Sequence, residues 1–141
     1  MNPQTTTPQN DPKRILIIDD DEVILAALSM KISSVGYSVL AAKDGSEAIS
    51  AIKKFNPQLI ILDINFPPDI PHGGCPAWDG FSIMYWLRRQ EAFNGAPFIV
   101  MSIDNSDVIS QRCIQAGALA FLPKPISHAD LLALIQNHLG Q

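Results

Sequence analysis

Little in this sequence points toward a membrane, a disulfide scaffold or a nucleic-acid surface. No apolar run approaches the ~18 residues that cross a bilayer. The first ten residues hold neither a charged side chain nor an apolar stretch, so they do not read as a secretory signal. Cysteine is scarce: Cys75 and Cys113 are the only two, too few for a disulfide framework and expected as free thiols. Positive charge is scarce as well, with 10 Lys and Arg against 14 Asp and Glu and a net charge of −4. Such a chain has no broad basic face with which to neutralise nucleic-acid phosphates or an anionic bilayer. The expected setting is the cytoplasm, with neither nucleic acid nor membrane as partner. What is abundant is apolar side chain, 47% of 141 residues, which is one domain's worth of chain with enough to fill its core.

Short apolar runs alternate with helical patterns. Residues 1–12, rich in Asn, Gln, Thr and Pro, bury nothing and are expected as a disordered tail. Residues 13–19 contain Ile15-Leu16-Ile17-Ile18, apolar on both faces as a central parallel strand is. Ile24, Leu28, Ile32 and Val35 recur at helical spacing up to Gly36. Further strands are expected at 38–42, 59–63, 98–101 and 119–122. Between them, Asp44 with Glu47 opens a helix to about Phe55, and Asp79 one to about Ala92. Asn105 to Ala116 forms a helix stopped by Gly117, and Ser127 with Asp130 opens the last. Strand-helix alternation repeated five times, (βα)5, implies an α/β fold: a doubly wound, five-stranded parallel sheet with right-handed crossovers. Sites in such folds lie outside the carboxyl ends of the strands.

The residues at those ends carry chemistry. The first strand runs into Asp19-Asp20-Asp21, the third into Asp63, the fourth into Ser102, and the fifth into Lys124 between two prolines. Two carboxylates ~4 Å apart repel by about 4 kcal/mol at an effective dielectric of 20. Asp19, Asp20 and Asp63 therefore need more positive charge than Lys124 supplies. With only hard oxygen donors available, Mg²⁺ is the expected ion. A carboxylate set beside Mg²⁺, an ammonium and a hydroxyl suits phosphoryl transfer to an aspartate.

Taken in order, five motifs resemble the response-regulator receiver domain of two-component signalling, of the chemotaxis-regulator type. They are Ile17 to Asp21, Leu59 to Pro67, Trp78-Asp79-Gly80-Phe81, Val100-Met101-Ser102, and Ala116-Gly117-Ala118 leading into Lys124-Pro125. The resemblance covers about residues 13–139 and implies a flavodoxin-like sheet of strand order 2-1-3-4-5 in a receiver domain spanning 13–141. It implies that Asp63 is the phosphoacceptor and also a metal ligand. Asp20 would bind Mg²⁺ directly, Asp19 mostly through water, and Asn65 through its backbone carbonyl. Ser102 and Lys124 would meet the phosphoryl oxygens, and the Lys124–Pro125 peptide would be cis. Phe121 occupies the position of the family's switch aromatic, with plain core packing the equal alternative. The donor would be a histidine kinase or a histidine phosphotransfer protein. The output would be a protein effector reading the face of the fourth helix, fifth strand and fifth helix, with homodimerisation also allowed. The chain is expected to stand alone and to be a switch rather than an enzyme acting on other substrates. A phosphorylation-independent pseudo-receiver is the alternative, and it predicts the loss of site residues that are in fact present.

Two features depart from the family. Asp79 lies sixteen residues after Asp63 where seven are usual, leaving an insertion at about 68–77. It is either a flap over the site or a tolerated surface loop. His72 and Cys75 within it are spaced like half a metal site that nothing completes. The second departure is Ile103, bulky where the family often has a small residue. Asp104 follows near the site mouth and is expected to cap the next helix. Ile103 should narrow access for small donors. Labelling by acetyl phosphate or phosphoramidate is expected to be slow in the wild type and faster in Ile103→Ala; rapid wild-type labelling unchanged by the substitution would refute this.

Overall fold

The computed structural model describes residues 11–64, 80–91, 93–104 and 106–140. The tail up to residue 10, Asn65, the 68–77 insertion with His72 and Cys75, and Asp79 lie outside them. Five strands and five helices alternate: β1 Arg14–Ile18, α1 Glu22–Ser34, β2 Ser38–Ala42, α2 Gly45–Phe55, β3 Leu59–Asp63, α3 Gly80–Arg88, β4 Phe98–Ser102, α4 Asp107–Gln115, β5 Ala120–Pro123 and α5 His128–Leu139. All strand pairs are parallel, in the order β2-β1-β3-β4-β5. This is the expected (βα)5 fold.

The two-sided apolar runs explain the two layers of helices. Side chains alternate across a strand, so Leu16, Ile18, Ile60, Leu62, Phe98 and Val100 point to one face. There they pack against Ala48, Ala51 and Ile52 of α2, Ile83, Met84 and Leu87 of α3, and Cys113 of α4. Their neighbours Ile15, Ile17, Leu59, Ile61, Ile99 and Met101 point to the other face. They meet Leu25, Leu28 and Ile32 of α1 and Leu131 and Ile135 of α5. β3 and β4 are buried along their whole length, while the edge strands β2 and β5 are partly exposed.

Helix starts follow the capping chemistry. Asp21 accepts from the N–H groups of Val23 and Ile24 at 2.9 and 3.3 Å and so starts α1. Asp44 accepts from Glu47 N–H at 2.8 Å, while the Glu47 carboxylate reaches back to Lys43 N–H. Ser127 accepts from Asp130 N–H at 3.2 Å. One expected cap is corrected: Asp104 does not start α4. Its carboxylate accepts from Ser106 N–H at 2.9 Å, an Asx turn, which leaves Ser106 to accept from Ile109 N–H at 3.3 Å and cap the helix. α3 also ends about four residues early. Its chain tightens into i→i−3 bonds from Arg89 N–H to Trp86 O and from Gln90 N–H to Leu87 O.

These contacts fix the expected energetics. Ile61→Ala, which empties a fully buried position in the central strand, should lower unfolding free energy by about 2–5 kcal/mol. Asp21→Ala, which only orphans helix-start donors, should lower it by about 1 kcal/mol. Urea unfolding followed by circular dichroism checks both values and their order.

Candidate functional site

The register of the sheet carries the expected residues to one edge. β3 ends at Asp63, paired in register with Met101 of β4, and Ile64 N–H donates to Met101 O at 2.8 Å. Asp19 N–H donates to Ala42 O at 3.1 Å, so the β1–β2 pairing continues one residue past β1 and sets Asp19 at the same level. Lys124 N–H donates to Ser102 O at 2.8 Å just beyond the Ser102–Pro123 pair. Pro123 sits on the edge strand, where a missing N–H is tolerated. The Lys124–Pro125 peptide is cis, as expected.

Three carboxylates meet there. One oxygen from each of Asp19, Asp20 and Asp63 lies within 4.8 Å of the others. Asp19 and Asp63 are buried, and Asp20 is exposed. The Lys124 ammonium lies between the two buried acids, 3.2 Å from Asp19 Oδ2 and 3.3 Å from Asp63 Oδ2. The other Asp19 oxygen accepts from Asp21 N–H at 3.0 Å. Asp21 therefore joins the acidic run to the start of α1, a role the sequence reading missed. An Asp followed by Glu22 and an apolar helical pattern was the available signal.

The electrostatics follow from two anions sharing one cation. Burial pushes the Asp19 carboxyl above its ordinary value and the nearby charge of Asp63 adds to the rise; the Asp21 N–H and Lys124 oppose this without cancelling it. Burial by itself would depress Lys124, but Asp63 and Asp19 together outweigh it and hold the ammonium above its ordinary value. Ser102 is fully buried, and its hydroxyl accepts from Asp104 N–H at 3.0 Å. Phe121 is half-buried and packs against the core layer formed by α2, α3 and α4. Ile103 is 72% exposed. It lines an apolar groove of about 480 Å³ with Ile24, Ala27 and Leu28 of α1, Pro125 and Ile126, beside Lys124.

The comparisons with known proteins agree with the parallel (βα)5 fold. The family profile described as "Response regulator receiver domain" matches residues 15–136. The chain belongs to the response regulator receiver family. It is 33% identical over 123 residues to the transcriptional regulatory protein PrrA of Mycobacterium tuberculosis, covering 87% of this chain and 48% of that protein. It is 33% identical over 127 residues to the probable transcriptional regulator ycf27 of Porphyridium aerugineum, covering 89% and 47%. This receiver thus spans about half the length of the curated relatives it matches. Among solved structures, the chemotaxis protein CheY4 of Vibrio cholerae is similar with a TM-score of 0.75 at 27% identity, covering 89% of this chain and 98% of that one. A CheY-like receiver domain protein of Methanospirillum hungatei gives 0.74 at 28%, covering 92% and 94%. No helix among the described residues is long and apolar enough to cross a membrane.

The charge balance predicts opposite effects at its two ends. Asp19's raised value means that its contribution to stability is fully present below the ordinary carboxylate value and is lost as pH rises through the raised folded one. Asp19→Asn should remove that loss, so the metal-free variant melts higher than wild type at neutral pH and gains little on acidification. Lys124→Met should do the reverse: it leaves the buried acids facing each other, lowers stability by ~3 kcal/mol at neutral pH, and recovers as acid protonates one of them. Thermal melts from pH 4 to 8 in EDTA check both slopes.

Proposed function

We propose that this receiver accepts a phosphoryl group on Asp63 from the phosphohistidine of a histidine kinase or a histidine phosphotransfer protein. The observation that supports it best is the Lys124 ammonium held within 3.3 Å of both Asp19 and Asp63 at the mouth of a three-carboxylate cluster. A carboxylate oxygen of Asp63 attacks phosphorus, the new O–P bond forms, and the N–P bond to imidazole breaks, with the imidazole leaving to take up a proton. Lys124 offsets negative charge on the phosphoryl oxygens, and the Ser102 hydroxyl donates to one of them. Asp19 and Asp20 with Asp63 and the Asn65 backbone carbonyl would hold Mg²⁺. The fit rests on the donor set, all hard oxygens with one cation for three acids. When bound, the ion would neutralise charge on the transferring group.

The readout proposed is a change of the face made by α4, β5 and α5, where Phe121 lies beside the layer that includes α4. A protein effector would read it, a second copy of the chain being one form of partner. The names of the relatives describe transcriptional regulators, and control of transcription is one output to which such a receiver is coupled. The phosphorylation-independent reading predicts a degraded site, whereas the sequence keeps Asp19, Asp63, Ser102 and Lys124 at the strand ends.

Incubation with a radiolabelled phosphotransfer protein, with and without Mg²⁺, tests this. Wild type should be labelled only with the ion, and Asp63→Asn should lose at least about a hundredfold of the rate, since loss of a nucleophile costs several orders of magnitude. Mg²⁺ affinity should fall as pH is lowered, beginning above the ordinary carboxylate range, because Asp19 must ionise to bind. Labelling that survives Asp63→Asn would overturn the assignment.

A further inference from the structure

Away from the acidic cluster, α3 and α4 and the turn after α3 carry a row of rings and guanidiniums. Phe81 and Tyr85 of α3 and Arg89, in the turn that closes it, follow at i, i+4 and i+8, so they line one stripe with about one turn, ~6 Å, between successive members. The Arg89 guanidinium lies 5.3 Å from the Tyr85 ring centre and donates to its hydroxyl at 3.2 Å. At the other end, Arg112 of α4 crosses to Phe81 and stacks 3.9 Å from its ring centre. Val108, one turn before Arg112, is 73% exposed, and Tyr85 is 65% exposed. Both arginines are exposed.

Two properties separate this stripe from an ordinary solvated face. Among the described residues the ion pairs are those of Lys124, so neither Arg89 nor Arg112 is paired with a carboxylate. Stacking on a ring also pre-orders a guanidinium while leaving in-plane N–H groups for an acceptor. The nearest acid in α4, Asp107, sits about 140° around the helix from Arg112. Two fixed cations thus flank the exposed ring of Tyr85 in a chain whose net charge is −4.

We infer that the α3–α4 stripe docks an acidic protein segment, two carboxylates meeting Arg112 and Arg89 with an aliphatic residue between them covering Tyr85. A polypeptide is favoured over nucleic acid because two guanidiniums neutralise only about two phosphates and the rest of the acidic chain repels a polyanion. The surface shares α4 with the α4–β5–α5 face but uses the side from which Arg112 reaches Phe81 of α3, and its assignment does not depend on phosphoryl transfer.

The test uses the full chain and a fluorescein-labelled twelve-residue peptide with pairs of Glu flanking Leu, read by anisotropy. Wild type should bind it, Arg89→Glu should weaken binding about tenfold, and Arg89→Glu with Arg112→Glu at least about a hundredfold. Phosphotransfer to Asp63 should stay unchanged in both. Arg89→Glu removes only local contacts with Tyr85, so it keeps the test decisive if the double variant folds poorly. Absence of wild-type binding, equal binding by the Arg89→Glu variant or by a Lys-for-Glu control peptide, or tighter arginine-dependent binding of a single-stranded oligonucleotide would each overturn the inference.

Discussion

One ammonium set between two buried carboxylates is the constraint around which the rest of the fold is arranged. Lys124 lies at the end of an edge strand, Asp63 at the end of the central one, and Asp19 just past another. For the three to meet, β1, β3, β4 and β5 must share one direction and a register good to a single residue. A slip of one position in any strand would turn its acid or its lysine to the other face. The fully apolar β3 and β4 resist such a slip, because both of their faces are already committed to packed layers. Core packing here is therefore the means by which charge is placed.

The placement leaves the site electrostatically unfinished. Two buried anions and an exposed third share one cation, which is why Asp19 is pushed toward its neutral form while Lys124 holds its proton more firmly. A structure tuned for stability alone would pair the charges evenly or replace them with apolar groups. Imbalance of this kind marks places where another charged group is expected to arrive. It is the physical reason for reading the cluster as a site and not as a set of helix caps.

Most of the fold and of the site was legible because the signals were local. The two-sided apolar runs, the capping acids and the strand-end positions of Asp19, Asp63, Ser102 and Lys124 can each be read within a few residues. Local signals do not decide where two neighbours compete for one role. Asp104 and Ser106 are both good caps, and only the turn that Asp104 makes with Ser106 N–H decides between them. In the same way, Asp21 looked like a third member of an acidic run, while its geometry makes it the start of α1 and a donor to Asp19.

Gly117 shows what no local reading could supply. From sequence it is the residue that stops α4, and its φ of +99° agrees with that use. A side chain there would also collide with Arg88 of α3, whose guanidinium would lie 2.6 Å from the added carbon. Arg88 enters that space to donate to Ala116 O and Gly117 O, and it stacks 5.3 Å from the Phe98 ring. A cation at the end of α4 meets unpaired carbonyls and the negative end of the helix dipole. With Arg112 reaching back to Phe81, each of the two helices holds the other through an arginine. α3 and α4, which follow the strands that end in Asp63 and Ser102 in the chain, are thus tied to each other by contacts far apart in sequence.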